Sequence, residues 1–385
     1  MPRSAALLIT MLFGSACSSG DSVTQADEYL QGLPPWPEPT PDADVANGAA
    51  RVTEEVVGNV IYACTSTPRS LTSTPEDLVT LNPGADVFWP GVLLQGKSYL
   101  GGVGTFAELP IRARAPLPIA IDILFGDNTR TVAHPDLASV SSAVGEIIQA
   151  ARQAGVKVQS SIAYTKTDSH SVEQVAVKLG LSARYLGAKA KAALAVSRSA
   201  SATTITASFT QRTFTVSTVA PQTPGAFFSP SFTAADLQQQ VDLGRLGPDN
   251  LPVYLASVTY GRVLLFSFTA EATREEISGT LNAMFDAVAA GGSVSLSARQ
   301  KELLQTSEIR VFTLGGDADF ALAVIRSGNL ADFFTADATL STFVPISYTL
   351  RNLGDNSLAR VSETTTYDLE ECRATTAGMV PRDGL

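Results

Sequence analysis

Between Val172 and Leu194 the chain satisfies two periods at once. With a period of two, Val175, Val177, Leu179, Leu181, Ala183 and Tyr185 fall on one side, and Ala176, Lys178, Gly180, Ser182 and Arg184 on the other. That is the signature of a half-buried strand. With helical spacing, Val172, Val175, Leu179, Ala183, Leu186, Ala190 and Leu194 line one face, as in an amphipathic helix. The ambivalence recurs further along. Ile277, Leu281, Met284, Phe285 and Val288 predict a helix with one apolar face, and "SVSLSA" (Ser293 to Ala298, with Val294 and Leu296) then alternates small polar and apolar residues. Both segments, about 172–206 and 274–303, are rich in Ala, Ser, Thr and Gly. The pattern alone leaves two readings open: chance overlap within small-residue helices, or segments competent for either form.

Elsewhere the pattern is plainer. Leu137, Val140, Val144, Ile147, Ile148 and Ala151 predict a helix between Ala133 and Gly155, started by His134-Pro135-Asp136 with the proline near its first turn. "IAIDILF" (Ile119 to Phe125) reads as a buried strand. "VYLASVTYGRVLLFSFTA" (Val253 to Ala270) reads as a strand pair or one long bent strand. "IRVFTLGGD" is a strand ending in the pair Gly315-Gly316, and the chain from "FVPISYTLR" to "TTTYDLEEC" is extended β structure. The fold class is therefore α+β, with helices and strands interleaved.

The 385 residues suffice for two or three domains, and 45% hydrophobic with 17% charged residues describes a globular chain. A net charge of −10 argues against a nucleic-acid partner, which requires neutralisation of phosphates. At the N-terminus Arg3 precedes an apolar run, Ala5 to Phe13, and then "GSAC" ending at Cys17. This is a short export signal. Cys17 stands where bacterial lipoprotein signals are cut and lipidated, with ordinary cleavage nearby as the alternative. Residues 18–50 hold six acids and no base, with the Pro-rich "LPPWPEPTP", and 18–45 is expected to be part tether and part start of the fold. Cys64 and Cys372 remain. In an oxidising compartment two such thiols pair, the alternative being two buried unpaired thiols.

Motifs for catalysis are weak. "GVLLQGKS" (Gly91 to Ser98) matches a phosphate-binding loop by letter, but Val92, Leu93, Leu94 and Gln95 suit a strand, and glycines follow where a helix should run. The two histidines, His134 and His170, form no metal or catalytic pattern with the cysteines or serines. No cofactor, no metal and no enzymatic activity are expected.

Five motifs in order, "EYLQGL" from Glu28, "FWPGVLL" from Phe88, "VTYGR" from Val258, "LGGD" from Leu314 and "PISYT" from Pro345, together with "AYTKTDSHSVEQVAVKLG" from Ala163, resemble landmarks of the thiol-activated, or cholesterol-dependent, cytolysins. The similarity runs from about residue 27 to about 372. It implies a fold of interleaved domains 1 to 3: domain 1 from 27–42, 80–167, 218–264 and 340–363; domain 2 from 43–79 and 364–380; domain 3 from 168–217 and 265–339, with a bent antiparallel sheet flanked by helix clusters. The two ambivalent segments then correspond to the family's membrane-inserting regions, which unfurl into β-hairpins as subunits form a ring and close a barrel pore. Such a barrel needs strands of ~9–11 residues alternating between lipid and lumen. The resemblance further implies that Gly315 and Gly316 form a hinge, that His170 and Ile309 occupy the subunit-docking positions usually held by an aromatic pair on edge strands, and that Cys64 and Cys372 both lie in domain 2.

The resemblance also has limits. The C-terminal sandwich that carries the family's sterol-recognition loop has no counterpart before Leu385, and no tryptophan follows Trp89. Cholesterol binding is therefore not carried over, and Cys372 does not match the family's characteristic thiol. The expected protein is exported, either anchored through Cys17 or secreted. It inserts into a target membrane as a homo-oligomer and relies on an anchor, a partner chain or a different receptor. The competing reading is a non-lytic surface lipoprotein or scaffold with the same fold.

Overall fold

The protein is described from a computed structural model that covers residues 22–58, 60–75, 78–79, 87–101, 106–156, 160–181, 186–196, 199–290, 295–335 and 342–375. Cys17, Ala183, Tyr185 and Val294 lie outside the described residues. The strands are β1 (Ala43–Ala46), β2 (Arg51–Val57), β3 (Val60–Ser73), β4 (Leu78–Val79), β5 (Leu93–Gln95), β6 (Leu117–Ile121), β7 (Thr129–Val132), β8 (Ser161–Asp168), β9 (Thr203–Thr218), β10 (Pro252–Ala270), β11 (Glu308–Leu314), β12 (Val344–Asn352) and β13 (Glu363–Ala374). The helices are α1 (Ser22–Gln31), α2 (Gly96–Leu100), α3 (Leu137–Gln153), α4 (Val172–Lys178), α5 (Ala188–Ala193), α6 (Ala234–Asp242), α7 (Arg274–Ala290), α8 (Ala298–Thr306), α9 (Ala318–Ser327) and α10 (Ala331–Thr335).

Two antiparallel sheets organise these elements. The larger follows the order β4-β12-β10-β9-β6-β7, with β5 and β11 also on β10 and β8 also on β9. Its axis is β10, a single strand of 19 residues rather than a strand pair. Its near-continuous apolar sequence fits a strand covered on both faces. The bend sits at Tyr260-Gly261, where the register against β9 and β12 slips. A Cβ on Gly261 would lie 1.8 Å from the Gln211 carbonyl oxygen, so the two strands approach here only because that side chain is absent. Above the bend, β10 meets β5 and β12 in the main core, built on Trp36, Trp89, Tyr99, Tyr254 and Tyr348. Below it, β8, β9, β10 and β11 form a four-stranded sheet. β8, expected in domain 1, thus belongs to this lower sheet.

The smaller sheet sets the long β3 between β13 on one side and β1 and β2 on the other. It joins early and late parts of the chain. Cys64 and Cys372 are register partners in β3 and β13 and are bonded to each other.

The fold begins within the stretch expected to hold both a tether and the start of the fold: Ala26 and Leu30 bury one face of α1, and β1 pairs with β3. Two expectations are corrected. The strand from Ile119 ends at Ile121, and Leu124 is 92% exposed beyond a turn. A helix does follow the phosphate-loop look-alike, but α2 is only five residues long, and Leu93 and Leu94 before it are core side chains in β5 rather than a loop. In α3 the first-turn chemistry belongs to Asp136, whose carboxylate and Ser139 form a capping box, with Pro135 just before the cap.

Candidate functional site

Each ambivalent segment joins two neighbouring antiparallel strands of the lower sheet. Between Asp168 and Thr203, which close β8 and open β9, lie 34 residues carrying α4 and α5. Between Ala270 and Glu308, at the ends of β10 and β11, lie 37 residues carrying α7 and α8. The helices of the two segments cover opposite faces of the sheet. Even-numbered Leu264, Phe266 and Phe268 of β10 face α7 to α10, whereas Leu265 faces α4 and α5.

The two faces differ in chemistry. The α7 side is a dry aromatic and aliphatic cluster in which Ile277, Leu281 and Met284 are fully buried against Phe209 and Phe266. The α4 side is small and partly polar. Here Val172, Val175, Leu179, Leu186, Ala190 and Leu194, the helical set, meet Leu265 and Phe312. Beside them Thr167, Thr206 and Ser267 form a polar row across the sheet. Ser169 Oγ lies 2.7 Å from Thr206 Oγ1, and Thr204 Oγ1 lies 2.9 Å from Thr269 Oγ1. The buried Gln174 amide donates to Thr167 Oγ1 (3.2 Å) and to the Asp168 carbonyl (3.1 Å), and its oxygen accepts from His170 N (3.1 Å). Hydrogen bonds of this kind are individually modest in net worth, so α4 is held less by apolar burial than α7 is.

Instead α4 is tied to the smaller sheet. Lys178 Nζ donates to Asp44 Oδ2 at 2.9 Å, Arg69 Nε donates to Asp44 Oδ1 at 2.8 Å, and the Tyr367 hydroxyl lies 3.1 Å from both carboxylate oxygens. Burial works against the Asp44 charge, but the hydrogen bonds from Arg69, Lys178 and Tyr367 outweigh it and hold the carboxyl below its ordinary value. The imidazole of His170 stacks on Tyr367, ring centres 5.7 Å apart. Burial lowers the pKa of His170 against the opposing pull of Asp168.

Of the named membrane-inserting residues, Val175, Val177 and Leu181 are buried around α4, Leu179 is half-buried, and Leu296 is packed just before Ser297, which caps α8. His170 and Ile309 are not brought together. Ile309 is in β11 and faces the α7 cluster. His170 is two residues past β8, at the other edge, because the chain turns away at Ser169, so it is not an edge-strand residue. The aromatic on β8 is Tyr164, stacked on Phe285 of α7 with ring centres 4.8 Å apart. Period two within "AYTKTD" was the available signal for it.

Gly315 has φ +72, and a Cβ on Gly316 would lie 2.6 Å from two ring atoms of the buried Phe333. The glycine pair is thus required by the folded packing, whatever hinge role it serves. Among the described residues one group of metal-ligand type, Cys64, Glu370 and Cys372, is clustered, but its two sulfurs are committed to the disulfide.

The profile of the thiol-activated cytolysins matches residues 44–375. The chain belongs to that family. Pneumolysin from Streptococcus pneumoniae is 27% identical over 317 residues, which is 78% of this chain and 64% of the relative. Perfringolysin O from Clostridium perfringens is 26% identical over 325 residues, 80% of this chain and 62% of the relative. The chain therefore spans a little under two thirds of the length of these curated relatives. In fold it is similar to listeriolysin O, with a TM-score of 0.74 at 22% identity over 92% of this chain and 73% of that one. Wild-type pneumolysin gives 0.73 at 22% identity over 93% and 76%. The cytolysins it resembles are toxins rather than enzymes, and its α+β architecture of antiparallel sheets is that of the family's structures. None of its helices, among the described residues, is long and apolar enough to cross a membrane, which leaves crossing by strands open.

Proposed function

We propose that the protein is a pore-forming cytolysin that oligomerises on a target membrane and converts segments 172–206 and 274–303 into transmembrane β-hairpins. The observation that carries this reading is the connectivity: each helical segment already links adjacent antiparallel strands, so unfurling it only lengthens an existing hairpin. The 34 and 37 linking residues are enough for two crossings of ~9–11 residues each and a turn. A closed multi-subunit barrel is the arrangement that leaves no unpaired backbone in hydrocarbon.

Within this reading the odd-numbered residues of 175–185 face lipid, Val294 and Leu296 do so in the second segment, and Gly315-Gly316 is the hinge that uncovers an edge strand. Cys17 carries the lipid anchor of an exported chain. The three regions of the fold act as domains 1 to 3 with the boundaries given above. A receptor, an anchor or a partner chain brings the protein to its membrane.

The test is dye release from liposomes of varied composition, with and without sterol, combined with electron microscopy of the membranes. Rings with leakage are expected. A charge facing lipid at mid-bilayer costs ~2–4 kcal/mol in each strand, so Leu179→Lys should abolish leakage while leaving binding, and Ser182→Lys, of opposite parity, should be tolerated. Equal effects of the two substitutions would overturn the lipid-facing alternation of 175–185, and neither rings nor leakage in any liposome would favour a non-lytic scaffold.

A further inference from the structure

Glu370 and Cys372 stand two residues apart on β13 and so share one face of the smaller sheet. Cys64 is opposite Cys372 on β3. The two sulfurs and a Glu370 carboxylate oxygen all lie within 4.8 Å of one another. Their surroundings grade from dry to wet: Cys64 is 1% exposed, Cys372 is half-buried and Glu370 is exposed. Among the described residues the Glu370 carboxylate is committed to no hydrogen bond or ion pair. Cys372 and Glu370 also line a cavity of about 730 Å³, set between β13 and the ends of β8 and β9 with the start of α7 beside it. Acidic residues outnumber basic ones on its walls, Glu271, Glu275 and Asp368 among them. Walls of one charge sign concentrate ions of the other.

We infer that Cys64, Cys372 and Glu370 form a site for a thiophilic divalent cation, with zinc as the type case, that opens when the disulfide is reduced. The site goes beyond the pore reading and does not depend on it. Reduction starts at Cys372, because the cavity exposes that sulfur and Cys64 is sealed. With a phosphine, phosphorus bonds to the Cys372 sulfur, the S–S bond breaks and Cys64 leaves as a thiolate. Water then hydrolyses the phosphorus–sulfur bond. Its oxygen stays on phosphorus as the phosphine oxide, and its two protons go to the two sulfurs. A dithiol supplies the same two electrons and two protons and itself closes to a disulfide. When the cation binds, both thiol protons pass to solvent.

The spacing suits such an ion. Opposed Cβ atoms of an antiparallel pair are about 4.5–5.5 Å apart. Zn–S bonds of about 2.3 Å and Zn–O bonds of about 2.0–2.2 Å put neighbouring ligand atoms of a tetrahedron about 3.5–3.8 Å apart. The freed sulfurs reach that spacing by side-chain rotation, with the strands in place. Two thiolates select a soft cation over calcium or magnesium. The fourth position faces the cavity and takes water, as open zinc sites do. The cation then restores between β3 and β13 the link that reduction removes, so its binding is read out as order in that sheet.

Cobalt(II) is the probe, since thiolate ligation gives it a charge-transfer band and tetrahedral geometry gives it intense visible bands. The full chain carries Cys17→Ser, which leaves Cys64 and Cys372 as its only thiols. Reduced with a phosphine and titrated with Co²⁺, it should show both features at one ion per chain, and Zn²⁺ added afterwards should bleach them. The oxidised protein should show neither. Glu370→Gln keeps both cysteines and their disulfide, and should weaken Co²⁺ binding by about tenfold or more, since even loss of an outer partner of a ligand costs that much. Exchange of β3 and β13 amides should rise on reduction in chelator and fall back when Zn²⁺ is added. The proposal is overturned if the reduced protein gives no thiolate charge-transfer band, if Glu370→Gln binds as tightly, if the oxidised protein binds equally well, or if Zn²⁺ leaves the raised exchange unchanged.

Discussion

Gly316→Ala is the smallest change that tests whether the glycine pair answers to packing. The added methyl would sit 2.6 Å from both Cε2 and Cζ of Phe333. Carbon atoms pack best at about 3.5–4.0 Å, so the ring or the backbone must retreat by about 1 Å. Phe333 has little room for that. It is 1% exposed, stands edge-on to Phe334 at 5.1 Å, and its carbonyl accepts a 2.9 Å hydrogen bond from the buried Arg262. Overpacking of this kind costs about 1–3 kcal/mol. Urea unfolding followed by circular dichroism should show Gly316→Ala destabilised by that amount, and exchange of α9 and α10 amides should rise in parallel. Phe333→Leu shortens the offending side chain, so the double variant should be more stable than the sum of the singles predicts by at least about 1 kcal/mol. A cost below about 0.5 kcal/mol, or additivity within that margin, would refute the packing argument and leave the hinge as the better reason for glycine there. Gly316→Val, the more obvious hinge probe, meets the same ring with more atoms and cannot separate folding from assembly.

Removing the Cys64–Cys372 bond, by reductant or by a double serine variant, should cost about 2–5 kcal/mol in guanidinium unfolding; indifference to reductant would contradict the bond. His170 has a folded-state pKa lowered by burial, so its contribution is complete above the unfolded value of about 6.5 and drains away as pH falls through the folded value. His170→Phe keeps a ring on Tyr367 without a titration, and should lose less stability between pH 7.5 and pH 5 than the wild type; equal losses in urea unfolding would count against it. Lys178→Met removes the reach of α4 to Asp44 and should speed exchange of α4 amides while leaving α7 as it was, with uniform acceleration as the contrary result.

The helical set from Val172 to Leu194 was legible in the sequence because helix burial depends on spacing, and six of its members meet in one cluster. The faces of β10 were not, since a strand buried on both sides carries no alternation to separate Leu264 from Leu265. The break after Ile121 was hidden for a related reason: "ILF" continues the apolar run, although Leu124 points to solvent. The paired acids and bases that tie the segments down, Asp44 with Lys178 and Asp168 with Arg274, lie over a hundred residues apart, and no local pattern can announce such partners. The alternation of Tyr164, Lys166 and Asp168 along β8 was visible as a period of two, but only the sheet shows what faces it.

The bond between Cys64 and Cys372 spans 308 residues and closes almost the whole described fold into one covalent loop. A chain emerging N-terminus first therefore cannot complete its smaller sheet until its last strand arrives, so this sheet is the late step of folding. The same closure means that a single protease cut at any exposed position between the two cysteines leaves the pieces bonded. A nicked molecule would migrate as one species without reductant and as two with it, so intactness on a non-reducing gel does not report on the continuity of the two helical segments.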